Sequence, residues 1–228
     1  MRLLVKFLIY ILVVVLVVSL LYRLIEWPWV AFRQAETAFA TGNYRDAAAG
    51  YERAAEKLDD LTVLGPLATC WLALGRSSEA EAVLGRLLDH HPDELPAIKL
   101  LSGVYQQSQQ PERAVPLFAR YLSLGKKLDP PAELQLARVY RQARRYEDAA
   151  PYYRRAAEDP KQKSLAYLEL AEMRSWVGRY DEAITLCREV LQYQPSNREA
   201  RLELARALSW GGDYKEAENE YKNLLKKQ

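Results

Sequence analysis

The chain is poor in the residues that carry catalytic and metal-binding chemistry. Among its 228 residues there are two histidines and two cysteines. The histidines, His90 and His91, are adjacent just before Pro92, and nothing near them completes a metal or acid-base site. Phosphate-binding glycine loops, the His-Glu-x-x-His motif and the Gly-x-Ser-x-Gly motif are also missing. We therefore predict that the protein is not an enzyme and needs neither a metal nor another cofactor.

The chain also lacks an excess of charge of either sign. Its 32 lysines and arginines nearly balance its 30 aspartates and glutamates, which gives a formal net charge of +2. A general nucleic-acid binder carries a strongly basic surface that replaces the counterions of the phosphates. The composition therefore argues against nucleic acid as a partner.

Near the N-terminus charge is missing from a long apolar segment. Residues 7–22 carry no charge, and the apolar character extends over residues 3–25 if the flanking basic side chains reach the lipid surface. About 20 helical residues span the roughly 30 Å of a bilayer core. Trp27 and Trp29 follow at once, where interfacial aromatic residues are common. We predict a transmembrane anchor over residues 1–27, with membrane contact through residues 3–25.

A cleaved signal peptide is the alternative for this segment. No small-x-small site follows the run closely, and the first candidate, residues 38–40, lies inside a predicted helix, so a retained anchor is favoured. Arg2 and Lys6 before the run face Arg23 and Arg33 after it, a balance that only slightly favours a cytoplasmic N-terminus. In a bacterium this orientation predicts a single-pass inner-membrane protein with a periplasmic domain, whereas the reverse orientation leaves that domain in the cytosol.

The remainder of the chain is a repeat array. At intervals of 33 to 35 residues an alanine recurs with a bulky residue four places later and, in most copies, a tyrosine three places earlier. The clearest copies are Gly42 to Ala47 with Tyr51, Gly178 to Ala183 with Cys187, and Gly212 to Ala217 with Tyr221. The upstream half of each unit has apolar residues at helical spacing, so the unit is predicted to be helix, turn, helix. Self-similarity at this period indicates a solenoid whose units bury their apolar faces on one another.

These residues resemble the tetratricopeptide repeat, a unit of 34 residues with small residues at fixed positions in both helices. The first-helix position is occupied by Ala35, Ala68, Ser102, Ala137, Ala171 and Ala205, and the second-helix position by Ala47, Ala80, Ala114, Ala149, Ala183 and Ala217. Gln109 and Arg144 replace the turn glycine in repeats three and four, and the segment 126–131 suggests an irregular joint between them.

The resemblance implies the fold of residues 28–228. It predicts an all-α, right-handed superhelix (α-solenoid) of about six helix-turn-helix repeats, preceded by one N-terminal transmembrane helix. The predicted units are 28–60, 61–94, 95–129, 130–163, 164–197 and 198–228.

The two cysteines fall in different predicted repeats. Cys70 belongs to repeat two and Cys187 to repeat five, and helices stacked about 8–10 Å apart place such units beyond the reach of a disulfide. We predict two free thiols, with Cys187 buried at the aromatic position of its second helix.

The resemblance also implies a binding surface. In this family the first helix of each repeat lines the concave face, which predicts a partner-binding surface built from first-helix side chains. The predicted residues are Trp29, Phe32, Phe39, Lys99, Arg138, Arg141, Glu172, Trp176, Arg206 and Trp210. The carboxylate clamp of some chaperone-binding members is disfavoured because its asparagines are missing.

A Ser-Trp pair recurs one repeat apart, at residues 175–176 and 209–210. Three interpretations of this ladder stay open at the level of sequence. The tryptophans are typical anchors of a protein interface, they offer stacking surfaces for a glycan polymer, or they pack between the first helices of neighbouring repeats.

Two further surfaces have alternative interpretations. Arg138, Arg141 and Arg206 suit an acidic ligand held by charge-assisted hydrogen bonds, but a solvated charged face explains them as well. At the C-terminal edge, Tyr221 and the leucines that follow it are predicted to dock a partner or a second copy, unless the nearby lysines keep that edge in solvent.

Taken together, the sequence predicts a membrane-anchored scaffold for protein–protein interaction. By analogy with the family, we expect an assembly subunit of a bacterial envelope complex, with exopolysaccharide synthesis or export as one such system. The alternatives are a glycan-binding module that uses Trp176 and Trp210, and an assembly factor that binds a membrane complex transiently.

Overall fold

The computed structural model describes residues 2–58 and 60–225, apart from the side chains of residues 2–9 and 21–26. Every regular element in this part of the chain is a helix. The helices are α1 (Arg2–Ala40), α2 (Tyr44–Ala55), α3 (Leu61–Ala73), α4 (Ser77–His90), α5 (Leu95–Gln107), α6 (Val115–Ser123), α7 (Pro130–Gln142), α8 (Tyr146–Ala156), α9 (Pro160–Trp176), α10 (Tyr180–Tyr193), α11 (Arg198–Gly211) and α12 (Tyr214–Leu225). From the C-terminal part of α1 onward two consecutive helices make up each of six repeats, which confirms the predicted helical repeat architecture.

The chain divides into two compact units, Met1–Val104 and Tyr105–Gln228. In the first unit α2 packs between α1 and α3, and α3 packs against α4. In the second unit α7 and α8, α9 and α10, and α11 and α12 form pairs, while α8 packs on α9 and α10 on α11. A helix therefore buries its apolar surface both within its own repeat and against the next repeat, as in a solenoid.

The small residues of the repeat occupy the tightest helix contacts. All six first-helix positions, from Ala35 to Ala205, are 0% exposed, and the second-helix alanines are equally inaccessible apart from Ala217 at 3%. The bulky residue one turn later is fully buried in five repeats and partly exposed in the sixth, where Tyr221 retains 37% of its surface. A side chain larger than alanine or serine at these positions would separate the paired helices.

Both cysteines are free, as predicted. Both are also buried, which confirms the burial predicted for Cys187 and adds that of Cys70. Burial raises the pKa of the Cys70 thiol to about 11. It raises the pKa of the Cys187 thiol to about 12, because the thiolate would lose its hydration inside the helix pair. The thiols therefore act as small apolar groups that fill the core.

The turn inside each repeat keeps one backbone conformation even where glycine is absent. The turn residue has positive φ in all six repeats, with values of 74° at Gly42 and 76° at Gly178. Gln109 and Arg144 adopt the same conformation, with φ of 56° and 57°. A left-handed backbone is unfavourable for residues with a Cβ atom, so repeats three and four fold with a local conformational strain that the glycine repeats avoid.

Short polar residues begin most of the first helices of the repeats. Their side chains accept a hydrogen bond from a backbone N–H in the first turn, which satisfies a group that has no partner within the helix. The capping residues are Asp60 for α3, Asp129 for α7, Asp159 for α9 and Asn197 for α11.

Repeat three is irregular in its second helix. This helix begins with a 3₁₀ turn, Pro111–Arg113, and the α-helical part that follows, Val115–Ser123, has only nine residues. Pro116 lacks the N–H group that a continuous α-helix starting at Pro111 would donate to the carbonyl of Glu112, so the 3₁₀ turn stays separate from α6. The chain then leaves α6 at Gly125, with φ of 73°, before Asp129 starts α7.

The first helix crosses the predicted boundary between anchor and repeats. α1 is continuous from residue 2 to residue 40 and contains Pro28, which is buried. The predicted anchor falls in large part on residues 2–9 and 21–26, whose side chains lie outside the described residues. In what the structure does describe, no helix combines the length and the apolar character needed to cross a membrane.

Candidate functional site

The predicted aromatic residues of repeat one serve mainly to pack the first unit. Phe32 and Phe39 on α1 meet the ring of Tyr51 on α2 edge to face, with centroids 6.0 and 6.2 Å apart. Tyr51 also donates a hydrogen bond to the Glu36 carboxylate. Trp29 contacts Phe32 at 6.3 Å but leaves 53% of its surface exposed. Of the three aromatic residues predicted here, Trp29 is the one that offers surface to a partner.

Lys99, the predicted site residue of repeat three, lies on α5 in the first unit. Its side chain is partly buried, and its backbone carbonyl accepts a hydrogen bond of 3.0 Å from the Ser102 hydroxyl.

In the second unit two of the three predicted arginines, Arg138 and Arg141, are paired with carboxylates of the neighbouring repeat. Arg138 on α7 donates hydrogen bonds to the Glu169 carboxylate on α9, with Nε 3.0 Å from Oε1 and 2.9 Å from Oε2. Arg141, one turn later, lies 3.7 Å from Glu169 and 3.4 Å from Glu172. Charge-assisted pairs of this kind satisfy guanidinium groups strongly. Arg138 and Arg141 therefore link repeats four and five through ion pairs. They are not free cations available to an acidic ligand.

Glu169 is the centre of this network, and sequence analysis missed it. Only 14% of its side chain is exposed, and the Tyr153 hydroxyl of α8 donates to it at 3.1 Å. Burial raises the pKa of Tyr153 well above its usual range, so this phenol stays a hydrogen-bond donor. The sequence signal that could have identified Glu169 is its position on the first helix of repeat five, on the face that Arg138 occupies in repeat four.

Glu203 on α11 occupies the corresponding position of repeat six. It is 8% exposed and accepts a hydrogen bond of 2.8 Å from the hydroxyl of Ser175, which is itself buried. Burial raises the pKa of the Glu203 carboxyl, and the negative charge of Glu172 adds to that effect. Arg206, 3.7 Å away and about half exposed, opposes it only partly.

Trp176 and Trp210 lie at the ends of α9 and α11 with 54% and 53% of their surfaces exposed. They are therefore not buried between first helices. The two rings have different neighbours. The Arg141 guanidinium lies 5.7 Å from the Trp176 ring centroid, whereas the ring centroids of Trp210 and Tyr180 are 6.5 Å apart. Each ring is held on one side and open on the other.

A groove of about 240 Å³ lies between α9 and α11 in the second unit. Three leucines form its apolar part, and four glutamates with one arginine form its polar part. Its lining consists of Leu165, Leu168, Glu169, Glu172, Glu199, Leu202, Glu203 and Arg206. Of the predicted site residues, Glu172 and Arg206 line this groove, and Arg138 and Arg141 contact its carboxylates from α7. Trp29, Phe32, Phe39 and Lys99 belong to the first unit. The arrangement is suited to binding a chain segment.

Comparison with known protein families agrees with this architecture. Two tetratricopeptide repeat models match the chain, one over residues 38–103 and 177–228 and the other over residues 100–164 and 134–173. The chain belongs to the tetratricopeptide repeat family. Its six helix pairs are therefore tetratricopeptide repeats, and the small residues at their contacts are those of the family pattern. No curated protein matches the sequence.

Solved tetratricopeptide repeat structures share the fold. A tetratricopeptide repeat protein from Parabacteroides merdae ATCC 43184 superposes with a TM-score of 0.72 at 17% identity, covering 87% of this chain and 79% of that one. PilW, a widely conserved type IV pilus biogenesis factor, gives 0.69 at 16% identity and covers 87% and 92%. YrrB, a repeat protein with an unusual peptide-binding site, gives 0.65 at 18% identity and covers 80% and 94%. At these identities the likeness is one of fold alone.

Proposed function

We propose that this tetratricopeptide repeat protein is a membrane-anchored scaffold that binds another protein through Trp176 and Trp210. Tetratricopeptide repeat proteins mediate protein–protein interactions. The observation that carries the proposal is the exposure of both rings, each a little over half, on adjacent repeats of one unit. Large aromatic side chains that are held in place but not covered are typical anchors of protein interfaces.

The surroundings of the rings favour a protein partner over a repeating polymer. Arg141 beside Trp176 and Tyr180 beside Trp210 limit the motion of each ring before binding, which lowers the entropy lost on association. The adjoining groove combines leucine side chains with carboxylates, as the mixed core and rim of an interface do. Because the two rings have different neighbours, they form two distinct anchor points.

The membrane anchor is a further part of the proposal. The apolar side chains described between Tyr10 and Leu20 on α1 are exposed by 41–67%. A helix with apolar side chains around its whole circumference is stable in lipid or inside a larger apolar assembly. Trp27 and Trp29, both about half exposed, follow where interfacial aromatic residues are expected. We place the anchor in a bacterial inner membrane, with the repeats in the periplasm.

An envelope complex is the proposed setting of the scaffold. A repeat domain held at a membrane meets partners that lie at the same surface, so envelope assembly, including exopolysaccharide synthesis or export, is consistent with this design. PilW, which shares the fold, is a pilus biogenesis factor. Co-migration with a complex in mild detergent distinguishes a permanent subunit from a transient assembly factor.

The decisive experiment is affinity purification of the full chain from its native membrane in mild detergent. We expect a stoichiometric partner with the wild type and its loss with the Trp176→Ala, Trp210→Ala double variant. The control is Tyr214→Ala, which removes an aromatic ring that is 71% exposed elsewhere in repeat six. A partner retained by the double variant would contradict the assignment of the binding surface to these rings.

The anchor and its orientation need a separate measurement. We expect the chain to stay in the membrane fraction after carbonate extraction, and protease added to spheroplasts to digest the repeats. Protection of the repeats in spheroplasts combined with digestion in inverted vesicles would place them in the cytosol instead.

Glycan binding is the second candidate function. The recurrence of exposed tryptophans one repeat apart supports it, because sugar rings stack on such faces. A shift of tryptophan fluorescence on adding oligosaccharide, absent in the double variant, would favour this function over the scaffold.

A further inference from the structure

We infer that repeat six carries a second docking surface, and that its occupant is a helix of another protein that presents a carboxylate to Arg206 and Ser209. The surface lies on α11 and α12, and we call it the end face. It shares Arg206 with the groove between α9 and α11, but it adds the cleft between α11 and α12 to the surface of the proposed scaffold.

The protein repeats one contact between the first helices of successive repeats. Two side chains one turn apart on the first helix of one repeat face a glutamate on the first helix of the next. Arg138 and Arg141 of repeat four face Glu169 of repeat five. In repeat five Ser175 faces Glu203 of repeat six with the same spacing of 28 residues that separates Arg141 from Glu169.

Arg206 and Ser209 stand at these facing positions in repeat six. They lie one repeat after Glu172 and Ser175, and they combine the arginine of repeat four with the serine of repeat five. Arg206 has 48% of its side chain exposed and its ion pair with Glu203, within its own helix, is long at 3.7 Å. The two preceding junctions, between repeats four and five and between repeats five and six, each place a glutamate at this position, and a carboxylate opposite Arg206 and Ser209 would continue that series.

The same two helices also carry a largely apolar cleft. It has a volume of about 370 Å³ and is lined by Arg198, Glu199, Leu202, Tyr221, Leu224 and Leu225. Tyr221 is the bulky residue of its repeat that remains partly exposed, and Leu225 is 71% exposed. In repeat five the equivalent surface, on α9 and α10, is covered by α11, and in repeat four α9 covers the surface of α7 and α8. The end face thus has the shape and chemistry of a surface that accepts one more helix.

Charge argues against a second copy stacking head to tail. In repeat one the position of Glu169 is occupied by Arg33, so head-to-tail stacking would place that cation against Arg206. Like charges at a desolvated contact are unfavourable. An acidic helix from a different protein has the required complementarity.

The protein supplies its own probe for this surface. The α9 segment, residues 160–176, already presents Glu169 to two helices that correspond to α11 and α12. We would label this peptide, hold it helical with a lactam staple between positions 161 and 165, which are exposed in α9, and titrate it with the full chain in detergent by fluorescence anisotropy. Circular dichroism establishes that the stapled peptide is helical.

We expect saturable binding that is weakened at least about tenfold by Arg206→Gln in the protein or by Glu169→Gln in the peptide. The two changes together should cost little more than either alone, because they remove the same contact. Arg154→Gln, which alters an exposed arginine on α8, is the control and should leave binding unchanged.

Three results would overturn the inference. The first is that the helical peptide does not bind at millimolar concentration. The second is that neither Arg206→Gln nor Glu169→Gln changes the affinity. The third is that sedimentation shows a concentration-dependent dimer that Leu225→Glu abolishes. The last result would show that a second copy covers the end face. Partner capture through Trp176 and Trp210 is measured independently, so failure here leaves the proposed function testable.

Discussion

At the scale of single residues, the left-handed turns give a direct test of how the repeats are stabilised. Arg144→Gly should raise the free energy of unfolding by about 0.5–1 kcal/mol, because glycine adopts positive φ without the steric cost that arginine meets. Gln109→Gly should act in the same direction. Urea unfolding of the full chain in detergent, followed by circular dichroism, measures the change.

The control for these variants is Gly178→Ala. A Cβ atom at residue 178 would meet nothing within 4 Å, so any loss of stability reports the backbone conformation alone. We expect a loss of about 1 kcal/mol. Equal stability of Arg144→Gly and the wild type would mean that the larger entropy of glycine in the unfolded chain cancels the relief of strain.

Glu203 provides a prediction about pH. Because burial raises the pKa of its carboxyl in the folded protein, its contribution to stability is fully present below the unfolded pKa and is lost as the pH rises through the folded pKa. Glu203→Gln removes this loss and keeps an acceptor for Ser175. The variant should therefore be more stable than the wild type near pH 7.5, and the difference should shrink toward zero near pH 4.

Glu218→Gln serves as the comparison for Glu203. Its carboxylate is exposed and paired with Lys222, which lowers the pKa of Glu218, so the expected effect of this substitution has the opposite sign. If Glu203→Gln instead destabilises the protein at neutral pH, the charge of Glu203 is held by Arg206 more firmly than burial penalises it.

The residues that the sequence identified correctly are those whose role depends on the repeat alone. Ala171 and Ala205 had to be small because every repeat closes in the same way. Glu169 and Arg174 were not identified, because their roles depend on which side chain the neighbouring repeat presents. Arg174 is 2% exposed and paired with Glu147 and Glu182, an arrangement that no spacing within its own helix predicts.

At the scale of the elements, α9 connects the core to the candidate surface. It presents Glu169 to α7 and ends at Trp176, so the position of its first turn influences both. Asp159→Ala removes the acceptor for the Lys161 N–H and should lower the free energy of unfolding by about 1 kcal/mol. Thermal or urea unfolding measures the loss.

Glu158→Ala is the matched control for the cap. Glu158 is exposed and adjacent to Asp159 but does not cap the helix, so its removal should change stability by less than about 0.5 kcal/mol. Equal losses for the two variants would show that charge near the helix start, and not the capping bond, supports α9.

At the scale of the whole molecule, stability should vary along the array. Repeats interact with their nearest neighbours, so a weak repeat opens locally. The nine-residue α6, after its 3₁₀ turn, has the fewest helical hydrogen bonds of the second helices. In hydrogen exchange read by mass spectrometry, amides of α6 should exchange faster than those of α10, the 14-residue second helix of repeat five.

α8 and α12 provide the internal comparison for this measurement. α8 is a second helix of the same unit with 11 residues, and α12 has one exposed face. We expect α12 to exchange faster than α8 because no further repeat covers it in the described chain. Uniform exchange across the second helices would mean that the array unfolds as one cooperative block.

The overall architecture was accessible from sequence because the period and the small positions agree across six copies, and a turn glycine marks four of them. The continuity of α1 through Pro28 was not, because a proline suggests a boundary when it is considered alone. The pairing of charges around the groove also required the structure, since it depends on the register between repeats.

Because α1 is continuous, it fixes the rotational orientation of repeat one about the helix axis relative to the apolar segment. Successive residues of an α-helix are rotated by about 100° around its axis, so the direction in which repeat one faces depends on the number of residues between its core and the apolar segment. One residue inserted ahead of Pro28 would rotate repeat one about the helix axis by more than a quarter of a circle relative to the apolar segment. The contacts inside the repeat would stay the same. The number of residues in α1 therefore sets the direction in which the exposed side chains of repeat one, Trp29 among them, face relative to the apolar segment.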